Sequence, residues 1–143
     1  MILSIDPGWI LGWAVFREKE LLENGVMDLE RNLSECGRYR NLWSFLLGLV
    51  ARHKFINTLL VEPAFGRWRS TRNGEICGII KLFGYQMGMD VVERNVQSTR
   101  SKLGLKGKKE VLAYACEWLQ NESLSQHEAD AICQGLAYLK EKK

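Results

Sequence analysis

Four side chains define the chemistry this sequence could do. Asp6 follows the apolar run Ile2–Ile5, and Glu62 follows Phe55–Val61, so each carboxylate stands where a hydrophobic strand stops. If those strands pair side by side, both end at the same edge of a sheet and the two acids become neighbours. His127 and Asp130 are three residues apart, the spacing that places two side chains on one face of a helix. Carboxylates gathered with an imidazole can hold divalent cations. Two such ions, roughly 3.5–4 Å apart, clamp the attacking and leaving oxygens in phosphodiester hydrolysis. Plainer roles exist for each residue: Asp6 before Pro7-Gly8 could form a turn, Glu62 could end a strand in solvent, and His127 could lie on the surface. Glu128 is better explained as the capping-box partner of Ser125 than as a ligand. Taken together, in this order and at these strand ends, Asp6, Glu62, His127 and Asp130 are expected to ligate Mg2+ or Mn2+, with two ions per site. Without a cation the acids would repel one another, which is a poor reason to assemble them for packing alone.

The charge distribution suggests what such a site would act on. Residues 1–66 carry 7 Lys and Arg against 8 Asp and Glu, whereas residues 67–109 carry 10 against 3. The basic middle of the chain is therefore a candidate polyanion-binding surface. Arg67, Arg69 and Arg72 are interleaved with Phe65 and Trp68, and Lys102, Lys106, Lys108 and Lys109 lie in a glycine-containing segment further on. Basic groups neutralise phosphates, and aromatic rings stack on exposed bases, a combination suited to branched or distorted DNA. Gly104 and Gly107 do not make a nucleotide-binding loop, because the GK[ST] ending and a strong preceding strand are missing.

The elements needed to position these groups can be read coarsely. Ile2–Ile5, Gly12–Phe16 and Leu21–Met27 read as strands, the last two joined by the charged turn Arg17–Glu20, which implies an antiparallel meander. Leu29, Leu33, Cys36, Tyr39, Leu42 or Trp43, Leu46 and Val50 recur at helical spacing, which predicts a long amphipathic helix. Phe55–Val61 reads as a strand buried on both faces, Gly66–Asn73 as a basic loop, Glu75–Met87 as a helix and Asp90–Arg94 as a short strand. Gln97–Lys109 reads as a polar connection, followed by helices near Lys109–Gln120 and Ser125–Lys140, with Leu136 and Leu139 facing the core. This order predicts an α/β fold, a mixed five-stranded sheet with helices on both faces, in the arrangement of the RNase H-like fold. The 143 residues, 46% of them hydrophobic, suffice for one domain, 1–143. Cys36, Cys77, Cys116 and Cys133 are expected to be reduced core residues. No apolar stretch is long enough for a signal peptide or membrane span, so a soluble, cytoplasmic protein is expected.

Three segments carry a family resemblance. Ile2-Leu3-Ser4-Ile5-Asp6-Pro7-Gly8 with Gly12-Trp13-Ala14-Val15 resembles the opening of RuvC-type Holliday junction resolvases. Leu59-Leu60-Val61-Glu62 resembles their second acidic strand, and His127-Glu128-Ala129-Asp130-Ala131 their closing helix motif. The likeness spans nearly the whole chain, which is shorter than cellular members and divergent in its middle; a viral or phage-type member would fit that description. It implies that Asp6, Glu62 and Asp130 are catalytic metal ligands, that His127 occupies a position where members carry Asp or His, and that Phe65 reaches a junction centre. It further implies a divalent-metal-dependent crossover junction endonuclease acting in DNA recombination and repair as a homodimer. The apolar surface around Leu42–Val50 or Glu75–Met87 could form the dimer interface. A broader flap or branched-DNA nuclease and a non-catalytic junction-binding protein are the alternatives. A sugar-kinase-like phosphotransferase, which needs two such lobes, is excluded by length.

Overall fold

The computed structural model describes residues 1–63 and 71–142, with the side chains of residues 71 and 72 left undescribed. Among the described residues are five strands, β1 (Ile2–Asp6), β2 (Ile10–Arg17), β3 (Glu20–Asp28), β4 (Thr58–Val61) and β5 (Asp90–Glu93). The helices are α1 (Glu35–Arg52), α2 (Thr71–Gln86), α3 (Val96–Leu103), α4 (Lys108–Leu119) and α5 (Gln126–Glu141). The strands form one sheet in the order β3-β2-β1-β4-β5. β1, β2 and β3 make the expected antiparallel meander, while β1–β4 and β4–β5 are parallel. The mixed five-stranded α/β fold is therefore the one expected.

Strand alternation divides the core into two layers. Leu3, Ile5, Leu11, Trp13, Val15, Leu59 and Val61 point to one face, where they pack with Leu42, Leu46 and Leu49 of α1 and Ile76, Ile80 and Phe83 of α2. Ile2, Ala14, Phe16 and Leu60 point to the other, against Val111 and Ala115 of α4 and Ala129, Ile132 and Cys133 of α5. Continuing that alternation, Asp6 and Glu62 fall on the α5 side. Small residues let α5 lie close to the strands there: a Cβ on Gly12 would stand 1.9 Å from the His127 carbonyl oxygen, and one on Gly135 would stand 2.2 Å from the Phe16 ring.

Several local expectations need correction. β4 begins at Thr58, and Phe55 is 79% exposed, because the chain turns after α1 before entering the sheet. α1 starts at Glu35, where the Ser34 hydroxyl accepts from Gly37 N; Leu29 is buried but belongs to the preceding loop. Asn73 already lies within α2. The polar segment 97–109 contains α3, an eight-residue helix with Thr99 as its buried residue, capped by Asn95 and ended by Gly104 at φ 76°. So little apolar surface gives no helical period, and its caps were the available signal. Gly107 in turn caps the start of α4, so both glycines serve helix ends. Cys77 and Cys133 are buried free thiols, whereas Cys36 is exposed and Cys116 half-buried. Leu136 and Leu139 do pack against the core on the α5 side, though only partly buried; the most deeply buried stripe of α5 is built from Ala129, Ile132, Cys133 and Ala137.

Candidate active site

The register of β1 and β4 creates the site. Ile5 pairs with Val61, and Glu62 N donates to Ile5 O at 3.4 Å, so Asp6 and Glu62 follow side by side at the same edge. α5 crosses this edge with its first turns. Its Ser125–Glu128 capping box forms as expected, and the Glu128 carboxylate also accepts from Asn24 of β3 at 2.9 Å. With its start fixed, the helix places His127 and Asp130 over the strand ends. All four expected residues, Asp6, Glu62, His127 and Asp130, line one cleft of about 630 Å3.

Beneath them lies an anchor that sequence reasoning missed. Gln134 is buried and reaches both strands: its amide nitrogen donates to Ile5 O at 3.2 Å and Ser4 Oγ at 2.9 Å, and its oxygen accepts from Glu62 N at 3.2 Å. Ser4 Oγ donates to Ala131 O at 2.7 Å. The backbone carrying both carboxylates is thus tied to the helix carrying the other two groups.

The electrostatics are those of crowded acids. Asp130 is pushed up to about 6, first by burial and then by Asp6, with Glu62 adding to the effect; Gln126 and Lys108 oppose it. Gln126 Nε2 donates to Asp130 Oδ1 at 3.2 Å. His127 Nδ1 lies 3.0 Å from Asp6 Oδ2, and this hydrogen bond raises the imidazole above its ordinary value against the effect of burial. Among the described residues, no three His, Cys, Asp or Glu side chains converge into a ready-made ligand cage. The donor set nevertheless fits a hard divalent cation: carboxylate oxygens with one imidazole, and an Asp130 carboxyl raised first by its partial burial and then by the neighbouring acids.

Positive charge borders the cleft. Lys108 lines it, and Lys108 and Lys109 open α4, where cations oppose the helix dipole by roughly 0.3–1 kcal/mol each. That placement is poor for the helix and good for an anion. Lys102 and Lys106 are exposed, and Lys106 N donates to Glu110 at 2.8 Å. Arg100 of α3 was missed by the sequence reading; it lines the cleft, and its Nε is buried with no hydrogen-bond partner among the described residues. Its helix was hidden, so its direction was too. Phe65, Arg67, Trp68 and Arg69 lie outside the described residues, as does the side chain of Arg72.

No family model and no curated protein matches the sequence. Solved structures do. A Thermus thermophilus RuvC in complex with Holliday junction substrate aligns with TM-score 0.80 at 19% identity, over 99% of this chain and 93% of that one. A second Thermus thermophilus RuvC structure aligns with TM-score 0.80 at 20% identity, over 99% and 94%. Alignment at this TM-score over nearly the whole of both chains shows the fold: this chain has the RuvC fold, an RNase H-like architecture.

Proposed function

We propose that this protein is a structure-specific DNA endonuclease that resolves four-way junctions by metal-assisted phosphodiester hydrolysis. The observation that carries the reading is the meeting, in one cleft, of two carboxylates from adjacent parallel strand ends with Asp130 and His127 from α5. Two Mg2+ or Mn2+ ions held by Asp6, Glu62, His127 and Asp130 would supply the Lewis acidity for attack by water and for departure of the leaving oxygen. The protein's own contribution is positional. Gln134 fixes the strand ends against α5, and partial burial strengthens the Asp130 carboxylate as a ligand once its proton is displaced. Arg100 and Lys108 stand where they can receive the phosphate to be cut, and Lys102, Lys106 and Lys109 extend the positive surface along the strand.

Junction resolution requires two cuts, and a twofold pair of sites supplies them. α1 and α2 share an exposed apolar groove of about 490 Å3 lined by Tyr39, Trp43, Ile79 and Leu82, with Leu47, Tyr85 and Met87 exposed nearby. Both helices named from the sequence thus contribute to one surface, which is the proposed homodimer face. No helix among the described residues is long and apolar enough to cross a membrane.

The test is to incubate the protein with labelled four-way, three-way, flap and linear DNAs, with Mg2+, Mn2+ or EDTA. Paired incisions in the four-way junction, abolished by EDTA, are expected. Equal cutting of flaps would broaden the activity, and tight junction binding without cutting in either metal would make the protein a binder.

A further inference from the structure

The cleft has a second wall, built from the acidic half of the chain. Trp9 stands three residues beyond Asp6 in the turn between β1 and β2 and lines the same cleft as the carboxylates. Among the described residues, the Arg31 and Arg38 guanidinium groups lie over its ring, at 5.2 Å and 5.1 Å from the centroid. The two arginines differ in freedom. Arg38 is buried, and its Nη1 donates to the Leu33 and Arg31 carbonyls, clasping the loop between β3 and α1; Leu29 N also donates to Trp9 O at 2.9 Å. Arg31 is exposed, and its guanidinium has no ion-pair partner among the described residues.

The surface is continuous. A second depression of about 490 Å3 starts from the same Trp9, Ile10 and Arg31 and runs to Asp28 and Glu30, whose charges would repel a longer polyanion. Basic residues therefore line the cleft from both directions along the sheet, Arg31 following β3 at one end of the strand order and Arg100 and Lys108 following β5 at the other.

We propose that Trp9 and Arg31 form a nucleotide shelf that receives the DNA strand leaving the carboxylates on the side away from α3 and α4. The indole stacks on one base unstacked at the branch. Arg31 leaves the ring to meet that nucleotide's phosphate, while Arg38 keeps the ring in place. The acidic rim at Asp28 and Glu30 limits the shelf to about one nucleotide. This assignment rests on the nuclease reading and adds a contact to it.

The experiment measures binding in EDTA, with a four-way junction carrying 2-aminopurine beside the branch and a linear duplex of equal length. Trp9→Ala should weaken junction binding about tenfold, in keeping with the stacking of one base, and abolish the quenching of 2-aminopurine. Trp9→Phe should retain most of both. Arg31→Ala should weaken binding to each DNA and make the salt dependence shallower by about one counterion. Wild-type quenching and affinity in Trp9→Ala, or an unchanged salt slope in Arg31→Ala, would overturn the shelf. So would equal losses on both DNAs in Trp9→Phe and Trp9→Ala accompanied by lowered melting temperatures, which would make Trp9 purely structural. A wild type that binds neither DNA overturns the nuclease reading along with the shelf. A wild type that binds and cuts, with all variants like it, overturns the shelf alone.

Discussion

Asp130 and His127 make the cleft proton-loving, and the sign of that effect is testable. The Asp130 carboxyl sits at about 6 in the folded chain against an ordinary 3.8, so the fold holds a proton that the unfolded chain releases. The stability this confers is present below pH 4 and is lost as pH rises towards 6. His127 is raised above its ordinary 6.5 by Asp6, so its contribution is present below that value and is lost as pH rises through the higher folded value. In EDTA the melting temperature should therefore fall between pH 5 and pH 8, with Asp130→Asn flattening the acid part and His127→Ala the neutral part. Mn2+ should restore stability more at pH 8 than at pH 5, where protons compete for the ligands; a melting temperature indifferent to pH and Mn2+ would argue against a cation site. In cleavage assays, Asp6→Asn, Glu62→Gln and Asp130→Asn are each expected to reduce turnover by orders of magnitude while junction binding persists, since ligands carry the chemistry and basic contacts the affinity. His127→Asp should keep partial activity with a shift from Mn2+ towards Mg2+, and His127→Ala should lose it. The acids were legible because each ends a hydrophobic strand or shares a helix face. Arg100 and Gln134 were not: one sits on a helix with no apolar period, and the other is a polar side chain whose partners become neighbours only on folding.

At the level of elements, closeness of α5 to the sheet is what holds the site together. Gly12→Ala places a methyl group inside van der Waals contact with the His127 backbone, so the helix must lift. A loss of about 1–3 kcal/mol is expected from such overpacking, with cleavage falling further than stability because His127 moves with the helix. Gly78→Ala offers the contrast. Its added Cβ on α2 meets nothing within 4 Å, so it should be neutral or stabilising, by roughly 0.5–1 kcal/mol. Thermal melting and turnover of the two variants separate these outcomes. The meander, β4 and α5 were legible because alternation and a capping box act locally. The start of β4 was misplaced because hydrophobicity alone assigns Phe55 to the strand, whereas α1 and its connection set where the chain can enter the sheet. The inward face of α5 was legible in part: Leu136 and Leu139 pack against the core as read, whereas the close approach to Gly12 and Phe16, which selects alanine, glycine and cysteine for the most buried positions, emerges only in three dimensions.

For the whole molecule, the shared groove of α1 and α2 predicts the state of assembly. Leu82→Glu or Tyr85→Glu, at positions 51% and 60% exposed, should leave the melting temperature nearly unchanged yet shift the protein from dimer to monomer in sedimentation. Junctions should then be nicked once instead of cut in pairs; a monomeric wild type would remove this interface. The sheet order has a further consequence, for the birth of the chain. β1 lies between β2 and β4, and the hydrogen bond that joins Asp6 to His127 spans 121 positions of sequence. A chain emerging from the ribosome can assemble its meander before β4 and α5 are made, but it then displays the bare apolar face of Ile2, Ala14 and Phe16 and carries only Asp6 of the four proposed ligands. Contacts between residues so far apart in sequence form slowly, so that face stays uncovered in the interval. Under the proposed function, a chain assembled in this order gains its cleft only when α5, which both covers the sheet and supplies His127 and Asp130, has docked.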